Sequence, residues 1–237
     1  MASRRSSEEW LNNIVLVREL HSVLTEDVKA EIEKLLWADA LILQFPLWWF
    51  TMPAILKGWV ERVFAYGFAY GVGEHSDRRW GDRYGEGTLA GKRAMLIVTT
   101  GGWEEHYSAR GINGPIDDLL FPINHGIFYY PGYDVVSPFV VYSADRLDQA
   151  GFEPIAERLR DRMRTLATTA PISYRRQNGG DYLVPTMQLR PDLGDPGATG
   201  FALHVDCDAD LRSTPLSMTQ SPFIKSRRHW PRGHLKV

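Results

Sequence analysis

The chain has 237 residues, of which 27 are Lys or Arg and 29 are Asp or Glu, so its formal net charge is -2. This length suits one domain of ordinary size, and the balanced charge gives no sign of a nucleic-acid partner or an anionic membrane surface. Hydrophobic residues make up 44% of the chain, enough for a core. No apolar run approaches the roughly 20 residues that span a bilayer. The single cysteine, Cys207, cannot form an internal disulfide, so we expect a cytoplasmic location and no cysteine-rich metal site.

Residues 1–24 form an N-terminal segment whose structure the sequence leaves open, since Asn13–Val17 could be a short strand or part of a helix. At Thr25 the signals become clearer. Thr25 suits a helix N-cap, and two acidic residues follow it in the first turn, where the helix dipole favours negative charge. Apolar residues then recur at helical spacing, which predicts a helix over residues 26–37.

A strand, a short loop and a second helix come next. The apolar run over residues 40–45, ended by Pro46, predicts a strand buried on both faces, as in a parallel sheet. Pro53 suits the first turn of a helix. The apolar stripe of that helix comprises Ile55, Leu56, Trp59, Val60, Val63 and Phe64.

Gly67–Gly91 is a long polar excursion of a kind that often lies over a site or at an interface. Residues 94–100 then predict a second buried strand. Residues 116–128 predict a helix that is interrupted near Pro122.

A strand region over residues 135–142 and a last helix over residues 152–168 complete the regular pattern. Because strand and helix alternate, we expect an α/β domain over residues 25–169 with a mostly parallel sheet. Beyond residue 170 prolines and glycines recur without any period, which predicts an irregular C-terminal arm or a partly disordered tail over residues 170–237.

Two strand ends are the places where chemistry is expected, since ligands bind beyond the carboxyl ends of the strands in open α/β sheets. The first end leads into Trp48, Trp49 and Phe50, which offer flat aromatic surface. The second leads into Gly101–Gly102, where backbone N–H groups can approach a ligand closely. Together they suit a planar heteroaromatic ring, although the three aromatic residues could be core residues and the glycine pair an ordinary turn.

Other kinds of site have no support in the sequence. No nucleophile elbow, P-loop or dinucleotide Gly-x-Gly-x-x-Gly motif is present. His75, His106 and His125 show no metal-ligand spacing, so no metal site is predicted.

Two long segments carry a resemblance to a known family. Residues 44–64, QFPLWWFTMPAILKGWVERVF, closely resemble a signature of the NAD(P)H:quinone oxidoreductase, or DT-diaphorase-like, family. Thr99–Gly102, followed by Tyr107 and Gly111–Gly114, resembles the second signature of that family, in the same order and at similar spacing. The resemblance extends over residues 25–166, and residues 171–203 are similar to the tail of bacterial-type members.

The resemblance implies a flavodoxin-like, doubly wound parallel sheet. It implies a flavin cofactor, FAD in preference to FMN, which takes a hydride from NAD(P)H and delivers it to a quinone or a similar small aromatic acceptor. It also implies a homodimer in which Tyr70 enters the substrate pocket of the second subunit. Tyr107 would stabilise negative charge on the reduced flavin. The positions that would bind the flavin are Pro46, Leu47, Trp49, Phe50, Thr99, Thr100, Gly101 and Gly102.

Two departures from the family are visible. Asn113 stands where the best-studied animal members have a histidine that is thought to help shuttle a proton, and an asparagine can hydrogen-bond but not titrate. The family opens with a strand and a phosphate-holding His-Pro-x-x-x-Ser-x-Asn loop, which residues 1–24 do not show. We therefore expect an N-terminally incomplete sheet without that anion site. The alternative hypothesis is a truncated, non-catalytic relative that dimerises or regulates and binds flavin weakly or not at all.

Overall fold

The computed structural model describes residues 24–194 and 197–206. These residues belong to one compact unit that ends at Asp206. Residues 1–23, which include the strand-or-helix segment Asn13–Val17, lie outside the described part of the chain, and so do residues 207–237 of the predicted tail. Within the described part, no helix is both long and apolar enough to cross a bilayer.

Helices and strands alternate along the described chain, as the α/β prediction requires. In chain order they are α1 Glu26–Trp37, β1 Ala40–Pro46, α2 Ala54–Val63, β2 His75–Ser76, β3 Arg79–Trp80, β4 Arg93–Thr99, α3 Ile116–Ile123, β5 Asp134–Val141, α4 Gln149–Thr165, β6 Tyr182–Leu183 and β7 Gln188–Leu189. The long strands form a parallel sheet in the order β1–β4–β5. Two short antiparallel pairs, β2–β3 and β6–β7, stand apart from it.

One face of the sheet carries the main core. Side chains of β1 and β4 on this face pack with residues of α1, α2 and α3, including Ile32, Val60 and Leu120. Burial of these apolar side chains is the dominant favourable contribution to folding.

The other face is only partly covered. Met95, Ile97 and Phe139 pack there against Ile155 and Leu159 of α4. The α4 helix does not cover Gln44 of β1, which is exposed. A cavity of about 690 Å³ lies between α4 and the strands. The prediction that β1 is buried on both faces is therefore wrong in the described structure, because α4 packs mainly on β4 and β5.

The first two predicted helices are present with small differences. Thr25 precedes α1, but its side chain makes no capping bond and instead accepts a hydrogen bond from Arg62 at 3.4 Å. Pro53 is the N-cap of α2 and not a residue of its first turn. Ile55 is 86% exposed, so the predicted apolar stripe is wider than the face that the domain buries.

The α-helical winding is interrupted near Pro122, as predicted. Pro122 lies inside α3, which ends at Ile123, and a π-helical segment, Asn124–Tyr129, follows directly. A proline removes one backbone donor, and π turns occur as local changes of winding within helices. The predicted helical segment therefore consists of an α-helical part and a π-helical part.

The described part of the C-terminal arm packs onto the domain. The Ile172 N–H donates to the carbonyl of Val135 at 2.7 Å, and the Tyr129 hydroxyl donates to the carbonyl of Tyr174 at 2.9 Å. Tyr174 is buried in the main core cluster. Individual hydrogen bonds and buried side chains hold the arm against the domain. No long helix or strand is needed for this, so the arm sequence shows no regular period.

We expect the substitution Ile32→Ala to lower the free energy of unfolding by about 2–5 kcal/mol, because Ile32 is fully buried in α1. Ile55→Ala is the matched control, since it is the same change on an exposed helical position and should alter stability by less than about 0.5 kcal/mol. Chemical denaturation of both variants measures the difference. Equal losses would contradict the burial pattern described for these helices.

Candidate functional site

The carboxyl ends of the three parallel strands meet at one edge of the sheet. Pro46 lies opposite Thr99, and Thr99 lies opposite Val141. The Leu47 N–H donates to the Thr99 carbonyl at 2.8 Å, and the Thr100 N–H donates to the Val141 carbonyl at 2.9 Å. The two strand ends predicted from the sequence are thus neighbours, as the strand-end rule requires.

The first strand end is a tight aromatic turn. Trp49 and Phe50 have φ values of 51° and 62°, and the Thr51 N–H closes the turn by donating to the Trp48 carbonyl at 3.0 Å. Trp48, Trp49 and Phe50 are 61%, 93% and 49% exposed. The structure therefore excludes the alternative in which they are core residues. Non-glycine residues held at positive φ cost about 1–3 kcal/mol each and cluster at functional sites.

The second strand end is fixed by the chain that follows β5. Thr100 is buried, and its hydroxyl donates to the Gly102 carbonyl at 3.1 Å. The Ser143 N–H also donates to the Gly102 carbonyl, and the Ala144 N–H donates to the Thr100 carbonyl, both at 2.9 Å. These hydrogen bonds hold the glycine pair in a defined position.

Several backbone N–H donors at this edge have no backbone acceptor in the described chain. The N–H groups of Trp49, Phe50, Gly101 and Gly102 donate to no backbone carbonyl within the described chain. Because these residues are exposed or half-buried, their N–H groups are free to bond to water or to a ligand. N–H donors near flat aromatic side chains suit a planar ligand whose edge carries carbonyl oxygens and ring nitrogens.

Tyr107 lies against the glycine pair. A Cβ atom on Gly102 would come within 2.9 Å of the Tyr107 ring, so the absence of a side chain permits this contact. Tyr107 is buried, and its ring centroid is 5.8 Å from that of Tyr142. Burial, and to a smaller extent the negative charge of Glu104, raises the pKa of Tyr142, so this neighbouring phenol stays protonated at neutral pH.

Asn113 belongs to the same loop as Tyr107. Its N–H donates to the His106 carbonyl at 3.0 Å, which brings Asn113 back beside the segment that carries Tyr107. The structure thus groups the two residues that were predicted to be catalytic.

Tyr70 is the predicted site residue that the described chain does not bring to this edge. It follows α2, is 46% exposed and packs edge-on against Tyr66 with 5.6 Å between ring centroids. It lines a separate cavity of about 220 Å³ together with Tyr130. Among the described residues, no hydrogen bond or ring contact joins Tyr70 to Trp49 or to the glycine pair.

Sequence reasoning missed a third part of the site, the chain after β5. A Cβ atom on Gly101 would lie 3.5 Å from the Asp145 carboxylate. The Arg146 guanidinium lies 5.6 Å from the Trp103 ring centroid, and the Trp103 ring is parallel to that of His106 at 6.1 Å. The strand-end rule could have found this segment, since it follows a predicted strand in the same way as the other two.

Comparison with known proteins shows the family to which this chain is similar. A protein family described by its flavodoxin-like fold matches residues 4–166. A ribosyldihydronicotinamide dehydrogenase-like protein of Penicillium crustosum is 61% identical over 187 residues, which are 79% of this chain and 69% of that protein. The crystal structure of a protein described as a quinone reductase, from Klebsiella pneumoniae, is 63% identical with a TM-score of 0.75 and covers 77% of this chain and 70% of that one.

The chain belongs to the flavodoxin-like NAD(P)H:quinone oxidoreductase family. This confirms the predicted family and fold and places the chain in a family of oxidoreductase enzymes. NAD(P)H dehydrogenase (quinone) 1 of Rattus norvegicus is a more distant member, 37% identical over 64% of this chain. The chain spans 52% of the length of that relative. The family match begins at residue 4, so it includes residues outside the described part.

Gly111 allows the loop over residues 104–114 to fold back closely on itself. A Cβ atom at this position would lie 2.2 Å from the His106 carbonyl oxygen, which cannot move without displacing the backbone. We expect Gly111→Ala to lower the free energy of unfolding by about 1–3 kcal/mol and to make residues 104–114 more susceptible to limited proteolysis. Gly58→Ala is the control, because a Cβ atom there meets nothing within 4 Å and a helical glycine-to-alanine change should stabilise by about 1 kcal/mol. A loop that tolerates Gly111→Ala would refute the close approach.

Proposed function

We propose that the chain is a flavin-dependent NAD(P)H:quinone oxidoreductase. The observation that carries the proposal is the meeting of an exposed aromatic turn, Trp48–Phe50, with a glycine pair whose N–H groups have no backbone acceptor in the described chain. This combination fits the isoalloxazine ring of a flavin, which is flat and has acceptor atoms along one edge. The names of the relatives support the same reaction class.

The donor set indicates how the ring would be held. Leu47, Trp49 and Phe50 would supply apolar and aromatic surface, with Pro46 ending the strand beneath them. The second strand end, Thr99–Gly102, would supply hydrogen bonds to the ring edge. We propose FAD in preference to FMN, with FMN as the alternative. When bound, the flavin supplies the site that accepts a hydride from NAD(P)H and passes it on to a quinone.

Side chains of this chain would stabilise the negative charge that develops on the reduced flavin. The Tyr107 hydroxyl has no hydrogen-bond partner within the described chain, while its ring is held between Gly102 and Tyr142. A fixed O–H donor beside the ring edge stabilises negative charge without reorganisation during the reaction. The Asn113 amide can orient a substrate oxygen but cannot exchange a proton at neutral pH.

We propose a homodimer in which Tyr70 contributes to the site of the other subunit. The adjacent exposed rings of Tyr70 and Tyr66, at 46% and 61% exposure, support this arrangement, because exposed apolar patches can mark protein–protein contact sites. A quinone or similar small aromatic acceptor would then bind between the flavin and the Tyr70 side chain of a second copy. A cytoplasmic location is part of the same proposal.

The first test is whether the purified chain binds FAD or FMN. Absorbance and the quenching of flavin fluorescence detect the binding. Trp49→Ala should weaken flavin binding by on the order of tenfold, because it removes a large flat contact surface. Trp37→Ala, which changes an equally exposed tryptophan (87%) at the end of α1, should leave binding unchanged. A colourless protein that binds neither flavin would contradict the proposed enzyme and favour a non-catalytic dimerising or regulatory protein.

The second test concerns Tyr107. In the flavin-loaded protein, Tyr107→Phe should slow flavin reduction by NAD(P)H by on the order of 10²-fold, because one preorganised donor is lost. Flavin occupancy should stay nearly constant, since the ring packing remains. Tyr182→Phe is the control, because Tyr182 lies in β6 of the C-terminal arm, outside the strand-end cluster. Stopped-flow absorbance measures the rate, and an unchanged rate in Tyr107→Phe would refute the assigned role.

A further inference from the structure

A second cavity, of about 390 Å³, lies between α3, the excursion after α2 and the C-terminal arm. The Tyr84 N–H at its edge donates to the Tyr130 carbonyl at 2.9 Å, shortly before β5 begins at Asp134. The cavity therefore lies toward the amino-terminal end of β5, whereas the proposed flavin site lies at the carboxyl ends of the strands. None of the residues assigned to the flavin site lines it. We refer to it as the arm cavity.

One wall of the arm cavity is a column of parallel rings. Tyr84 stacks on His125 with 4.7 Å between centroids, and His125 stacks on Phe121 at 4.5 Å. Phe121 then stacks on Phe201 of the arm at 4.3 Å and an interplanar angle of 9°. His125 and Phe121 each have a ring on both faces, so they offer their ring edges to the cavity. Ring edges pack well against the face of another aromatic ring, which favours a planar aromatic ligand.

His125 presents a hydrogen-bonding atom without a partner. Its Nε2 atom is buried and has no hydrogen bond among the described residues. Burial, and to a smaller extent His204, lowers the pKa of His125 to about 4, so the imidazole is neutral at pH 7. A neutral imidazole nitrogen can pair with a hydroxyl group, donating or accepting according to its tautomer.

The two arginines at the arm cavity differ in their charge partners. Arg175 is buried and lies 2.8 Å from the Asp181 carboxylate and 3.7 Å from that of Asp206, so its charge is compensated. Arg83 has no carboxylate within ion-pair distance among the described residues. Its Nε atom donates to the amide oxygen of Gln177 at 2.5 Å, which fixes the guanidinium in place. The cavity therefore keeps one positive charge that is positioned but not neutralised.

We propose that the arm cavity is a second ligand site, separate from the flavin site, for a planar aromatic monoanion that carries a hydroxyl group. The face of the ligand ring packs against the ring edges of His125 and Phe121. Its carboxylate pairs with the Arg83 guanidinium, and its hydroxyl group hydrogen-bonds to His125 Nε2. Because the arm supplies Phe201 and Arg175 to the lining, occupation of the site also holds the arm against the domain.

The test uses 1-hydroxy-2-naphthoate as the probe and 1-naphthol as its uncharged counterpart, in calorimetric titrations of the full-length chain with flavin added. The naphthoate should bind at least about tenfold more tightly than the naphthol. Arg83→Gln should remove this difference, a change that corresponds to about 1.4 kcal/mol, and should leave naphthol binding unchanged. Arg78→Gln, an exposed arginine in the same excursion, is the matched control and should change neither affinity.

Two further measurements distinguish binding in the arm cavity from binding in the flavin site. Trp49→Ala should not alter naphthoate binding, because Trp49 belongs to the other end of the sheet; loss of binding in that variant would place the probe in the flavin site and overturn the proposal. Nitrogen NMR of histidine-labelled protein does not depend on Arg83→Gln and remains informative if that variant does not fold. The probe should shift the His125 imidazole resonance, assigned with His125→Phe. An unshifted His125 signal at saturating probe, or equal affinity for both probes, would also overturn the proposal.

Discussion

The register of the parallel sheet is the constraint on which the rest of the molecule depends. Pairing of Pro46 with Thr99, and of Thr99 with Val141, ends the three strands at the same level. A shift of one residue would exchange the two faces of a strand and separate the aromatic turn from the glycine pair. Trp49 and Phe50 are held at positive φ with largely exposed side chains, and such strain persists only where the surrounding structure determines it. Because β1 before the turn and α2 after it are anchored in the main core, the strained turn has the rigid support that binding of a flat ring requires.

The residues at the two ends of the domain differ in polarity and charge. At the carboxyl ends of the strands, backbone N–H donors and exposed aromatic rings dominate. At the arm cavity, a neutral buried histidine and an arginine without a carboxylate partner in the described chain lie beside stacked rings. The arm joins this second region to the core through Tyr174 and Arg175, which are both buried. Irregular segments such as this arm contribute to stability through a few specific anchors and therefore leave no periodic signal.

The sequence by itself determined the alternation of strand and helix and the position of the two signature segments. Those features depend on local periodicity and on short-range stop signals such as Pro46, which act within a few residues. The bounds of α1 and the strand-end location of Thr99–Gly102 were predictable for that reason. The role of Tyr107 beside Gly102 was implied by the resemblance, and the structure supplied the contact between them.

Only the tertiary structure decided which apolar residues are buried and which distant residues meet. Ile55 and Trp49 are as hydrophobic as core residues, yet they are exposed because no described element covers them. Gln44 is exposed within a strand because α4 packs on β4 and β5 and leaves that part of β1 open. The ring column of Tyr84, His125, Phe121 and Phe201 joins segments far apart in the chain. Contacts of that kind arise from the packing of whole elements, so no local pattern in the sequence encodes them.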